Sequence, residues 1–292
     1  MSGHVGVAVP VTTVWTSPDA PRDLDAPAVA AVPDVATWTA SLDHERRLGL
    51  HGRTQTQGLL GEPVMVLDER AGWSEVVLPW QPSRTDPRGY RGWVPSAHLG
   101  PSPEPAVLYA TVVVPTSSTD DGTALSRGSV LPVLDREADR VRVAVTGRSS
   151  WVAASDLHVA PFGQVDRGVD GLLAGARQHL GLAYLWGGTS GWGLDCSGLV
   201  HVSHRVAGVT VPRDASDQQP VARPVAVEAA GPGDLYFFAR PDGRVTHVGF
   251  ATNRPGEPLR MLHAPEGGGL VEDAPMADER RASLVSAGRL LP

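Results

Sequence analysis

Trp186-Gly187-Gly188-Thr189-Ser190-Gly191-Trp192-Gly193-Leu194-Asp195-Cys196-Ser197-Gly198-Leu199-Val200-His201-Val202-Ser203-His204-Arg205-Val206-Ala207-Gly208 is the stretch whose reading decides the fold of this chain. A glycine-rich loop runs into a helix signal that opens at an aspartate and closes at a C-terminal glycine. The chain's single cysteine, Cys196, stands in the first turn of that helix. A thiol there feels the positive end of the helix dipole and nearby unpaired backbone N–H groups, and both favour thiolate. The competing reading is a buried structural cysteine, because free cysteines are among the most buried residue types.

Working outward, residues 169–180 place Leu172, Leu173, Ala176 and Leu180 on one helical face. After the central helix come three strand-like runs, at 234–239, 245–252 and 259–264. The order predicts an α+β domain, helices first and an antiparallel sheet after them.

Two histidines in those strands bear on the thiol. His247 lies in Thr246-His247-Val248-Gly249 and His263 in Met261-Leu262-His263-Ala264, with the turn formers Asn253-Arg254-Pro255-Gly256 between them. A hairpin centred on Pro255 makes the two imidazoles direct cross-strand neighbours, with Cβ atoms about 4.5–5.5 Å apart. One ring can then take the thiol proton while the other fixes its tautomer, which is a Cys-His-His nucleophilic site. His201 and His204 lack the spacing that would set them beside the thiol and are expected as helix-surface or packing residues. No short ligand pair supports a zinc site, and no helix after Gly267-Gly268-Gly269 supports a phosphate loop. Neither a metal nor an organic cofactor is expected.

The upstream half has a different grammar. Gly61-Glu62-Pro63-Val64-Met65-Val66-Leu67-Asp68 is echoed by Gly128-Ser129-Val130-Leu131-Pro132-Val133-Leu134-Asp135. The offset is 67 there and falls to 58 between Trp93 and Trp151, so the first copy carries nine extra residues in or near 79–87. Each copy reads as short strands joined by tight turns, the pattern of a small β-barrel. The expected division is residues 1–104 for an N-terminal segment plus the first barrel, 105–161 for the second, and 162–292 for the α+β domain.

The chain has 292 residues, 41% of them apolar, enough for a substantial core in two or three domains. Its net charge of −7 argues against a nucleic-acid partner. All 25 basic residues are arginine, a composition bias rather than a function. One cysteine excludes an intramolecular disulfide framework. No apolar run approaches the roughly 20 residues of a membrane helix. The opening residues lack a basic region followed by a sustained apolar run, so a cytoplasmic protein is expected, or a secreted one if a leader has been trimmed.

Tyr184-Leu185-Trp186-Gly187-Gly188, Asp195-Cys196-Ser197-Gly198-Leu199-Val200, Pro212-Arg213-Asp214-Ala215-Ser216, Gly233-Asp234-Leu235-Tyr236-Phe237-Phe238 and Thr246-His247-Val248-Gly249 together resemble the NlpC-type cell-wall cysteine peptidases. The resemblance implies a papain-like domain with Cys196 as nucleophile, His247 as base, His263 as the orienting group and Tyr184 near the oxyanion. The two upstream repeats are similar to the branch that carries two bacterial SH3-like barrels before the peptidase. That branch implies hydrolysis of the γ-D-glutamyl bond to a diamino acid, diaminopimelate or lysine, in peptidoglycan stem peptides with a free N-terminal L-Ala. Matching blocks imply that Glu62 and Tyr90 of the first barrel, with Asp195, Ser197 and Asp214, surround that amine. Recycling of murein peptides is the expected setting. Competing readings are an inactive wall-binding adaptor and an amidase or acyltransferase on the same fold.

Overall fold

The computed structural model describes residues 5–164, 168–266 and 269–291. The change of grammar around residues 165–167 and the loop reading of Gly267 and Gly268 lie outside the described residues.

The first β-rich unit contains β1 (Val5–Val7), β2 (Val11–Trp15), β3 (Thr54–Leu59), β4 (Pro63–Arg70), β5 (Trp73–Leu78), β6 (Tyr90–Pro95) and β7 (Leu99–Pro101), in the order β3-β2-β6-β5-β4-β1-β7. Three short helices that the sequence reading did not anticipate interrupt it between β2 and β3: α1 (Ala26–Val29), α2 (Val35–Ser41) and α3 (His44–Leu48). Asp34 and Asp43 cap α2 and α3 by accepting the N–H of Thr37 and Arg46, satisfying donors that the first helical turn leaves unpaired. Trp38 of α2 packs against Trp15 of β2, and its indole N–H donates to Asp25, which Arg22 grips from the other side.

The second unit comprises β8 (Tyr109–Val112), β9 (Thr116–Ser118), β10 (Ala124–Ser126), β11 (Val130–Arg136), β12 (Arg140–Val145), β13 (Arg148–Ala153) and β14 (Leu157–Ala160). Five of these strands pair as β13-β12-β11-β8-β14, and β9 with β10 forms a separate hairpin. Along β12, Val141, Val143 and Val145 are buried while the alternate residues are not, the period of two that covers one sheet face. The repeat maps strand on strand. Residues 79–89 join β5 to β6 where only residues 146–147 join β12 to β13, so the extra residues of the first copy form this connection.

The C-terminal part is α+β, as expected. It begins with α4 (Gly168–Arg177), the two-residue strands β15 (Thr189–Ser190) and β16 (Gly193–Leu194), α5 (Cys196–Val206) and α6 (Ala215–Val221). Then follow β17 (Arg223–Val225), β18 (Leu235–Ala239), β19 (Val245–Ala251), β20 (Arg260–His263), β21 (Glu272–Pro275), α7 (Asp278–Ala282) and β22 (Leu284–Arg289). The sheet order is β17-β22-β18-β19-β20-β21, and its described pairs are antiparallel. Leu172, Leu173 and Ala176 of α4 enter one core with Leu199 and Val200 of α5 and Phe237, Val248, Phe250 and Leu262 of the sheet. Leu180 does not share that face: α4 stops at Arg177, and Leu180 is exposed in the following turn.

The first unit and the C-terminal part share a second core, in which Leu185 and Trp186 pack with Trp15, Trp38 and Leu59. Polar contacts follow the same seam, with Thr54 Oγ1 donating to the Trp186 carbonyl and Thr189 Oγ1 to the Gln57 carbonyl. Among the described residues no helix is long and apolar enough to cross a membrane.

Candidate active site

Asp195 sits just before α5 in an extended conformation, and its Oδ1 accepts the Gly198 N–H at 2.6 Å. That bond fixes where the helix starts, and so fixes Cys196 in its first turn. Glycine is required here for a close approach, because a Cβ on Gly198 would lie 2.0 Å from the Gly188 carbonyl oxygen. The loop 187–188 can therefore lie directly on the helix start.

Cys196 is buried, at 6% exposure, and lines an open cleft of about 1010 Å³ including its mouth. Burial pushes the thiol up to about 12, and the Asp195 charge adds to this, while the N–H groups of Val248 and Ser197 work in the opposite direction. The expected helix-start placement is found. The expected thiolate is not, because desolvation outweighs the field of one helix end.

His247 and His263 are brought together, with Nε2 of the first 2.9 Å from Nδ1 of the second and the rings edge to face. They are not direct partners. Phe250 pairs with Leu262 and Ala251 with Met261, which sets Gly249 opposite His263 and makes the histidines a diagonal pair. The hairpin is centred one residue later than the turn formers suggested, and the glycine opposite His263 leaves room for the His247 ring to lean across. Burial depresses both imidazoles, His247 well below its ordinary value and His263 to about 4, with Arg280 adding to the effect on each. At neutral pH both rings are neutral. With Nε2 engaged by His263, Nδ1 is the other ring nitrogen of His247.

Tyr184 is buried in the same cleft, and burial, followed by the neighbouring Cys196, holds its phenol well above the usual value. It stays a neutral donor. Its carbonyl accepts from Arg47 at the end of α3, so the N-terminal helices steady this wall.

The residues expected around an amine divide into two groups. Tyr90 and Asp214 meet across the cleft, with the phenol donating to Asp214 Oδ2 at 2.9 Å. Asp214 occupies the N-cap position of α6, yet its side chain does not cap the helix and instead faces the cleft. Among the described residues its other oxygen, Oδ1, meets no donor. Burial raises its pKa, which Arg213 and the Tyr90 bond oppose. Ser197 also lines the cleft, accepting from Arg213 and donating to Asp195.

Asp195 and Glu62 require correction. Asp195 borders the cleft, but both its oxygens are occupied: Arg213 holds them bidentately at 2.7 and 3.0 Å, and the N–H groups of Gly187 and Gly198 donate to them. It is an anchor for the loop and helix rather than an open acceptor. Glu62 is not in the cleft. It is buried at 1% exposure in a bidentate pair with Arg205 and also accepts from Gln81 and the Leu59 N–H. His201 and His204, expected at the helix surface or in packing, are both buried, bonded to the carbonyls of Val211 and Val200.

The sequence reading did not single out Gln55, Arg84, Arg240, Arg244 or Glu266, which complete the lining. They come from four separate segments, and only the fold brings them together. Glu266 pairs with His51, whose ring stacks on Trp186. Arg84 reaches across from the 79–89 connection to Asp217.

The NlpC/P60 family model matches residues 181–288. The chain is 33% identical to the gamma-D-glutamyl-L-lysine dipeptidyl-peptidase of Bacillus subtilis, over 90% of this chain and 90% of that protein. It is 31% identical to the protein of the same name from Bacillus cereus, over 92% of this chain and 85% of that one. A crystal structure of an NlpC/P60 family protein from Bacillus cereus superposes with a TM-score of 0.93 at 29% identity, covering 99% of this chain and all of that one.

Proposed function

The chain belongs to the NlpC/P60 family, and from that premise we propose that it hydrolyses the γ-D-glutamyl–diamino acid bond of stem peptides that carry a free N-terminal L-Ala. It is a cysteine peptidase in which a papain-like domain follows a β-rich region consistent with two SH3-like barrels. The observation that carries the substrate proposal is the Tyr90–Asp214 pair, which sets a carboxylate with one unengaged oxygen in the wall of the cleft that also holds Cys196.

In the proposed reaction the Cys196 proton passes to Nδ1 of His247 as sulfur bonds to the γ-carbonyl carbon of D-Glu. The developing oxyanion is met by the Cys196 N–H, which as a first-turn donor has no intrahelical acceptor, and by the Tyr184 hydroxyl. His247 then returns the proton to the departing amine of the diamino acid, and the C–N bond breaks. Water, giving its proton to His247, attacks the thioester and releases L-Ala-γ-D-Glu with the thiol restored.

An ammonium at Asp214 adds to the counter-charge that Arg213 brings to this partly buried carboxylate, and a charge-assisted bond of this kind is among the stronger ones. An acylated L-Ala carries no charge for Asp214 to meet. In intact wall that nitrogen is an amide, so an amidase-type reaction must first supply the substrate, which favours turnover of released stem peptides over cutting of assembled wall. Arg240 and Arg244 supply positive charge in the same cleft for the peptide's carboxylates, beside Arg84, which is paired with Asp217.

Incubation with L-Ala-γ-D-Glu-L-Lys, its meso-diaminopimelate counterpart and the N-acetylated form of each tests this. Free-amine peptides should give L-Ala-γ-D-Glu plus the diamino acid, and acetylation should lower kcat/KM by about a hundredfold or more. Equal rates on both forms would refute amine selection.

A further inference from the structure

The hydrogen-bond chain that runs from His247 does not stop at His263. Its Nε2 lies 3.1 Å from Oε1 of Glu272, which is paired directly opposite it on the neighbouring strand β21. His247, His263 and Glu272 thus step across three adjacent strands, β19, β20 and β21.

The polarity of that chain follows from its last member. An ionised carboxylate can only accept, so Nε2 of His263 must carry a proton. A neutral imidazole holds one proton, which leaves Nδ1 of His263 as an acceptor. The 2.9 Å contact with His247 must then be donated by Nε2–H of His247. Nδ1 of His247 is left bare.

We propose that Glu272 is a positioning residue: by accepting from His263 it fixes the tautomer of both imidazoles and so presents a bare nitrogen of His247 to the Cys196 thiol. This rests on the reading of Cys196 as nucleophile. Without Glu272 the opposite polarity is equally open, with His263 donating from Nδ1 to Nε2 of His247. The proton of His247 then sits on Nδ1, and a thiol facing N–H has no base.

Other charged groups around the pair do not fix its direction. Arg280 of α7 lies close enough to disfavour protonation of both rings, and with Glu279 it lines a cavity behind His263 that Glu272 also borders. Neither makes a hydrogen bond to either imidazole among the described residues. At the start of α5, the charges of Asp195 and Arg213 bear on the Cys196 thiol. Asp273, next to Glu272, is engaged elsewhere by Thr252 and Arg177. With its side chain 52% exposed, Glu272 contributes little to the core.

Two readouts need no peptide substrate, so their failure is separable from failure of the proposed substrate. The first is long-range ¹H–¹⁵N correlation of the histidine side chains at about pH 7.5, where both rings are neutral. The native protein should show Nε2–H tautomers at His247 and His263, and Glu272→Ala should convert both rings, wholly or in part, to Nδ1–H. The second is alkylation of the single cysteine by iodoacetamide, followed by intact mass. Glu272→Ala should slow it by about tenfold to a hundredfold while melting with the native protein. Nδ1–H at either ring in the native protein would overturn the assignment, as would unchanged tautomers or an unchanged alkylation rate in Glu272→Ala.

Discussion

Burial governs the reactive groups at the scale of single residues. It pushes the Cys196 thiol up to about 12 and depresses both imidazoles, so the pair proposed for catalysis is favoured as thiol and imidazole over thiolate and imidazolium. Asp214 is the counterpart on the binding side. Burial raises its carboxyl above the usual value, so desolvation disfavours its anion, a penalty that a substrate ammonium would relieve. Asp214→Asn should raise KM for a free-amine peptide by about ten- to a hundredfold, the equivalent of roughly 1.5–3 kcal/mol for a hydrogen bond to a charged group, with a smaller effect on kcat. The sign of the pH dependence follows from the direction of the shift. As pH falls through the raised Asp214 value the carboxylate is protonated and KM climbs, at a higher pH than an unshifted aspartate would give. That limb should vanish in Asp214→Asn. An unchanged KM, or a limb that survives the substitution, would remove Asp214 from the binding site.

Among the elements, α5 is held from outside as much as by its own bonds. Arg213 grips Asp195 through both terminal nitrogens and donates through Nε to Thr56 of β3, and its N–H donates to the Pro82 carbonyl in the 79–89 connection. Thr56 in turn donates to Gln81, which donates to Glu62, the partner of Arg205 near the other end of α5. Breaking a buried pair by removing one partner costs about 3–5 kcal/mol. Glu62→Ala should therefore lower the melting temperature by several degrees through the uncompensated Arg205 while leaving KM for the free-amine peptide near the native value. A stable protein with a raised KM would return Glu62 to the substrate. The helix start at Asp195-Cys196 and the face shared by the two strand histidines were legible in the sequence, because capping and strand alternation are local rules. The role of Glu62 was not: its partner lies 143 positions away, and a glutamate before a proline at a strand start carries no mark of it. The diagonal register of His247 and His263 escaped for a similar reason, since turn residues locate a hairpin only to within a residue or so. Glu272 was invisible because its segment was not read as a strand.

The whole molecule supplies a site that the C-terminal part does not complete alone. Tyr90 and Gln55 enter the cleft from the first β-rich unit, Arg84 enters from its extra connection, and Arg47 of α3 and His51 of the turn after it brace the cleft. The sequence showed the repeat and located the extra residues. It did not show that they face the cleft, because the seam between the units is built from contacts such as Thr54 to Trp186, 132 positions apart. Under the proposed function, a joint site of this kind divides recognition of the peptide's amine between Tyr90 of the first unit and Asp214 of the C-terminal part, and leaves bond breaking to the C-terminal part. A crystal structure of Cys196→Ala with uncleaved L-Ala-γ-D-Glu-L-Lys tests that division most directly. The ammonium should lie within hydrogen-bonding distance of Asp214 beside Tyr90, with the γ-carbonyl carbon over position 196 and the lysine beyond it. A peptide running the other way, or one whose amine projects into solvent clear of both side chains, would contradict it.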